Sequence, residues 1–163
     1  MKKIEIYLVA GRAGVGKSTY AGELASKINA EIFEISKTIK DITKELYDGD
    51  IKDKKGRSTM QRVGREGREI NSGIFVHETM NRIFQRVMIY SHHFPKKKVF
   101  RFIIPDLRLI SEYKEFKNSF ENVELHFIER EFESKLTNEQ LFDRTEIQIP
   151  YLKNKADKVI NIV

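Results

Sequence analysis

The chain has no cysteine among its 163 residues, so it can form no disulfide and offers no thiolate to a metal. Prolines number only 3, and no proline-rich linker, internal repeat or low-complexity tract divides the sequence. No apolar run approaches the length that spans a bilayer, which argues against a membrane protein. The opening Met1-Lys2-Lys3 leads straight into a short apolar segment and then glycines, so no secretory leader is expected. These absences predict a cytoplasmic protein, and the length suits one domain over 1–163. His77, His92, His93 and His126 have no partners at metal-ligand spacing, and none is assigned to catalysis or to a metal.

What remains is an ordinary globular composition, 40% apolar and 33% charged, with a net charge of +6. A basic surface attracts polyanions, and a protein that handles nucleotides also needs cations around phosphates. The densest basic run, Lys96-Lys97-Lys98, stands just before an apolar segment and reads as a solvated strand entrance. There is no basic arm, no recognised nucleic-acid module and little sign of exposed aromatics, all of which argues against a nucleic-acid partner.

The most informative run is Gly11-Arg12-Ala13-Gly14-Val15-Gly16-Lys17-Ser18-Thr19, a full match to the phosphate-loop pattern G-x-x-x-x-G-K-[ST]. Residues 4–10 before it are almost all apolar and predict a buried strand. Tyr20, Leu24 and Ile28 after it recur at four-residue spacing and predict a helix. Glycines let the backbone bend and approach a ligand, so loop N–H groups and the helix N-terminus converge on one anion. Lys17 then supplies a point charge for β- and γ-phosphates, and the Ser18 hydroxyl is a candidate Mg²⁺ ligand. Gly11, Ala13, Gly14, Val15, Gly16, Lys17, Ser18 and Thr19 are the candidate nucleotide-binding residues.

Four segments predict strands, at 4–10, 99–104, 123–128 and 159–162, with a weaker fifth near 31–35. Helical patterns separate them, as the crossovers of a parallel sheet require, so the fold class is a three-layer α/β domain with a mostly parallel sheet. Residues 36–90 read as a helical block that would cover the phosphate loop from one side.

On a helix beginning at Arg57, the residues Arg57, Gln61, Gly64 and Arg68 share a sector of roughly 60°. Met60, Val63, Gly67 and Ile70 form the neighbouring apolar stripe, expected to face the core. Arginine suits bidentate phosphate contacts, and Gly64 leaves a gap where a flat group can approach. Ser36 and Lys40 lie one turn apart on the preceding helix, where Ile35, Ile39 and Ile42 suit burial, and Ser36 also suits an N-cap. The strand at 99–104 ends beside Asp106, a candidate outer-shell Mg²⁺ carboxylate or a cap of the helix starting near Leu109. Arg108 stands at the same sheet edge. Ile110, Tyr113, Phe116 and Phe120 read as core. Arg130 and Arg144 bracket a polar stretch that reads as a short lid over 129–146.

These stretches resemble the deoxynucleoside monophosphate kinases of bacteriophages, within the P-loop nucleoside monophosphate kinases. The resemblance rests on Gly11–Thr19, Ser36-Lys37-Thr38-Ile39-Lys40-Asp41, Arg57 through Arg68, Asp106-Leu107-Arg108 with Glu112, Thr145-Glu146 and the closing Asp157-Lys158-Val159-Ile160-Asn161. Arg65-Glu66 departs from the family's threonine-acid pair. The resemblance implies the P-loop kinase fold with a helical monophosphate-binding insertion. It implies MgATP as phosphoryl donor and a (deoxy)nucleoside monophosphate as acceptor. Ser36, Lys40, Arg57, Gln61, Gly64, Arg68 and Arg108 would bind the acceptor. Lys17, Asp106, Arg108 and Arg130 would serve the transfer, with Ser18 and Asp106 at Mg²⁺. A homodimer is allowed, and a phage product would work in its host's cytoplasm. Two alternatives stand beside it. One is a small-molecule kinase such as a dephospho-coenzyme A kinase or a phosphomevalonate kinase; an alcohol acceptor would need a carboxylate such as Asp106 to take its proton. The other is a non-catalytic ATP binder with a nucleic-acid partner.

Overall fold

Burial along Lys3–Ala10, complete over Leu8, Val9 and Ala10, fits this segment, β1, as the centre of a five-stranded sheet with the order β2-β3-β1-β4-β5. The computed structural model describes residues 1–131 and 144–163. The remaining strands are β2 (Glu31–Ile32), β3 (Val99–Ile104), β4 (Asn122–Glu129) and β5 (Lys158–Asn161). Every pairing is parallel, with Leu8 opposite both Ile104 and Leu125. The four clear sequence strands are all present, shifted by a residue at most at either end. The expected 31–35 strand shrinks to two residues, because after Phe33, whose N–H still donates to Ile103 O at 2.9 Å, the chain turns away toward the helical block.

Six helices are described: α1 (Lys17–Ile28), α2 (Lys37–Leu46), α3 (Lys54–Ile70), α4 (Ile74–His93), α5 (Ile110–Ser119) and α6 (Arg144–Lys153). Strand periodicity divides them into layers. Ile6, Leu8 and Ala10 face a large core shared with Phe75, Met80 and Ile83 of α4, Phe116 of α5 and Leu152 of α6. Val9 faces a smaller core that takes Ala21 and Leu24 from α1. A sheet with helices on both faces is thus the three-layer α/β arrangement expected. The order turns at β1, with β2 and β3 on one side and β4 and β5 on the other, so the ligand crevice lies beyond its carboxyl end.

Helix ends follow side-chain chemistry. Asp53 caps α3, its Oδ1 accepting from the Gly56 N–H at 2.7 Å, so this helix starts a turn earlier than Arg57. Asn29 closes α1 in the left-handed region, with φ of 52°, and its backbone N–H returns to Ala25 O. Ile110, Tyr113, Phe116 and Phe120 all pack into the large core, as expected. Two apolar expectations fail. Ile70, at the last turn of α3, is 83% exposed, and Ile42 of α2 is also exposed. Helices α2 and α3 pack along the stripe through Ile39, Met60 and Val63, and Gly67 meets the ring of Phe75. Ile70 lies past that contact. No helix among the described residues is long and apolar enough to cross a membrane.

Candidate active site

The loop between β1 and α1 is built by close backbone approach. Gly11 has φ of 151°, and a Cβ there would lie 2.6 Å from Ile128 O on β4. Gly16, with φ of 107°, turns the chain into α1 in a left-handed conformation that a side chain would oppose. Val15 is buried in the smaller core and pins the loop from below. The first N–H groups of α1 have no partner within the helix and face the crevice end of the sheet. Ser18 and Thr19 are exposed on this first turn. Replacing Gly11 by alanine is expected to destabilise the fold by roughly 1–3 kcal/mol, because the Ile128 carbonyl belongs to a central strand and cannot retreat. Denaturant unfolding checks this, and an unchanged midpoint contradicts it.

Lys17 is half-buried, and its Nζ donates to Gly11 O and Arg12 O at 2.8 Å each. Burial, aided by the Arg108 charge, pulls its pKa down to about 8, against the opposing pull of Glu146 and Asp106. The ammonium, held by two neutral carbonyls, is thus ready for an anion. Its ordinary pKa is 10.5, so from about pH 8 upward the unfolded chain binds the extra proton and stability rises with pH; below that the buried charge opposes folding. A bound polyphosphate would restore the ordinary value. Just above pH 8, binding of a polyphosphate should therefore take up a fraction of a proton, as follows from Lys17's lowered pKa. Calorimetry in buffers of different ionisation enthalpy measures this, and Lys17→Met should remove it.

Pro105 carries the chain from β3 to Asp106, whose carboxylate spans to the helical block. Its Oδ1 accepts from the Ile35 N–H at 2.9 Å and its Oδ2 from the Ser36 N–H at 2.8 Å. Asp106 therefore holds the start of α2, and the helix near Leu109 is capped instead by Glu112. Glu112 is buried, and its Oε2 accepts from the Arg108 and Leu109 N–H groups at 3.1 Å each. Its other oxygen lies 3.5 Å from Arg68 Nη2. Burial raises the Glu112 pKa despite these two N–H donors and the guanidinium. Arg68 also donates to Gly64 O at 3.2 Å and lies over the Phe75 ring. Arg108 Nη1 stands 3.9 Å from Glu146 of α6.

The expected residues therefore divide. Lys17, Asp106, Arg108, Arg68, Gly64 and the Ser36 backbone are drawn into one connected region with Glu112 and Glu146. The gap at Gly64 is lined by this chain's own Arg68 and Ile39. Ser36 precedes α2 without a side-chain cap bond. Lys40 is paired with Glu34 at 2.5 Å. Arg57 and Gln61 are exposed on α3, with no side-chain partner among the described residues. Arg130 is exposed just past β4, two residues beyond the carbonyl that abuts Gly11. The side chain of Arg144 and residues 132–143 of the expected lid lie outside the described residues. Sequence reasoning missed Arg82 on α4, whose Nη2 donates to Glu34 O at 2.7 Å and to Thr79 Oγ1 at 3.0 Å. It ties the β2–α2 loop to α4, one and two residues before the two N–H groups that Asp106 holds. Its one signal was helical spacing with the buried Thr79 and Ile83.

No protein-family model matches the chain, and no curated protein matches it in sequence. Solved structures do match. Dephospho-CoA kinase from Campylobacter jejuni aligns with a TM-score of 0.50 at 17% identity, covering 98% of this chain and 89% of that one. Shikimate kinase from Aquifex aeolicus vf5 aligns with a TM-score of 0.44 at 15% identity, covering 96% and 85%. The first likeness shows a shared fold: the chain has the α/β architecture of the P-loop kinases.

Proposed function

We propose that the protein transfers the γ-phosphoryl group of ATP to the phosphate of a (deoxy)nucleoside monophosphate, forming the diphosphate. The observation that carries this reading is the state of Asp106. Both its oxygens accept backbone N–H bonds, from Ile35 and Ser36, so the carboxylate is committed to holding the start of α2. An alcohol acceptor needs a free carboxylate to take its proton; a phosphate acceptor is already ionised and needs cations and alignment. Cations are what the crevice edge supplies, in Lys17, Arg108 and Arg68.

Lys17 exchanges the loop carbonyls for the β- and γ-phosphates, and the loop N–H groups bind the same anion. Arg68 and Arg108 clamp the acceptor phosphate, with Arg57 and Gln61 lining its approach and Ser36 and Lys40 beside it. Arg130, and Arg144 from the far end of the lid stretch, meet the charge on the moving phosphoryl group. The exposed Ser18 hydroxyl and the Asp106 carboxylate suit a hard divalent cation, Asp106 through water, since its oxygens keep lone pairs beyond those given to the N–H groups. Mg²⁺ held there would neutralise phosphate charge.

The test is to incubate the protein with MgATP and each (deoxy)nucleoside monophosphate separately, with dephospho-coenzyme A and phosphomevalonate as further acceptors. ADP formation that saturates with one or a few monophosphates supports the reading. Turnover only with an alcohol acceptor overturns it, as does ATP binding without transfer accompanied by steeply salt-dependent nucleic-acid binding.

A further inference from the structure

Glu112 is a buried carboxylate at the site's edge for which the transfer itself has no use. It touches neither the phosphate loop nor solvent, yet it contacts both arginines assigned to the acceptor phosphate by different routes. One oxygen holds the backbone of Arg108 and Leu109, at 3.1 Å to each N–H. The other faces the guanidinium of Arg68 at 3.5 Å. Arg68 comes from α3 in the helical block, 44 residues earlier in the chain, and Arg108 from the loop after β3. The side chain of Arg68 has two further guides, Gly64 O and the Phe75 ring, both on the helical block. Among the described residues, Glu112 on α5 is the partner that ties it to the segment following β3.

We infer that Glu112 is a positioning residue that sets the spacing between Arg68 and Arg108, and so fixes where an acceptor phosphate is held relative to the phosphate loop. This rests on the reading of those arginines as the acceptor clamp. The geometry explains why a carboxylate is needed in so apolar a place. A neutral side chain could serve the two N–H groups as a helix cap, but an anion also draws a guanidinium much more strongly. The 3.5 Å separation leaves Arg68 able to turn partly toward a ligand while its other nitrogen remains anchored at Gly64. A phosphate arriving between the arginines would thus find the Arg68 guanidinium already aimed and the Arg108 backbone fixed, with less freedom to lose on binding.

Glu112→Gln separates this role from simple capping. The amide oxygen can still accept from Arg108 and Leu109, but the amide nitrogen turns a donor toward Arg68. The acceptor KM should rise roughly tenfold, with the MgATP KM within about twofold of the parent. In an Arg68→Met background the same substitution should add almost nothing to the acceptor KM, because the interaction it breaks is already gone. A role confined to capping predicts the opposite: lower melting temperature, similar changes in both KM values, and effects that add to those of Arg68→Met. If Glu112→Gln does not fold, Glu112→Asp is read against the same criteria, since one methylene less cannot reach both partners. Parent protein that makes diphosphate while the variants leave the acceptor KM unmoved overturns the role of Glu112 alone. Parent protein that turns over no acceptor overturns the clamp and this role together.

Discussion

Lys17→Ala is expected to lower phosphoryl transfer by roughly three orders of magnitude or more, with the fold intact. The loss follows from position. The ammonium is held at the mouth of the loop by two carbonyls, at 2.8 Å each, both of which can return to water when a polyphosphate takes their place. The loop's other cation, Arg12, is exposed, and its side chain makes no hydrogen bond or ion pair among the described residues. The intact fold follows from the sign of its pKa shift. Burial pulls the Lys17 pKa down to about 8, so the charged form at neutral pH opposes folding. Removing it should leave the melting temperature unchanged or raise it, a trade of stability for function. Turnover and thermal melting are measured on the same preparation. Full activity in the variant rules out the assignment of Lys17; an inactive variant that is also unfolded rules out the claim about its energetics.

Asp106→Asn is expected to raise the acceptor KM by an order of magnitude or more and to cost about 1–3 kcal/mol of stability, since one buried N–H loses its acceptor and meets a donor instead. The carboxylate bridges β3 to the start of α2, accepting from Ile35 and Ser36, and Arg82 of α4 holds the neighbouring Glu34 carbonyl. Loosening that joint moves the helical block against the sheet, so the acceptor residues shift while the phosphate loop stays. The MgATP KM should therefore change little. A general base would give another pattern, a collapse of kcat with both KM values preserved. Steady-state kinetics with both substrates varied, together with denaturant unfolding, distinguishes the two. The base pattern would restore the alcohol-acceptor reading.

How much was legible in the sequence depends on the distance over which each residue acts. The phosphate loop was readable because strand, glycines and helix are contiguous, and backbone geometry alone demands small residues there. The strand positions were readable because a parallel strand covered on both faces reads as a near-continuous apolar run. The apolar stripe of α3 was read correctly at Met60, Val63 and Gly67. It failed at Ile70 because periodicity does not say where the neighbouring element ends. Asp106 was placed beside Mg²⁺ or at the helix it precedes; its hydrogen-bond partners lie 71 and 70 residues earlier, at Ile35 and Ser36. Arg82 carried no motif at all, and its role is visible only beside Glu34, 48 residues away.

The amino-acid order by itself determined the order and layering of the elements and the phosphate loop, since these follow from hydrophobic period and from the backbone freedom of neighbouring residues. Tertiary structure decided which charges meet. It paired Glu112 with Arg68, set Asp106 across to α2, joined Lys40 to Glu34, and left Arg57 and Gln61 open to solvent. Those pairings turn on a few ångströms between elements far apart in the chain, and charge acts through distance in space, which one-dimensional spacing does not contain.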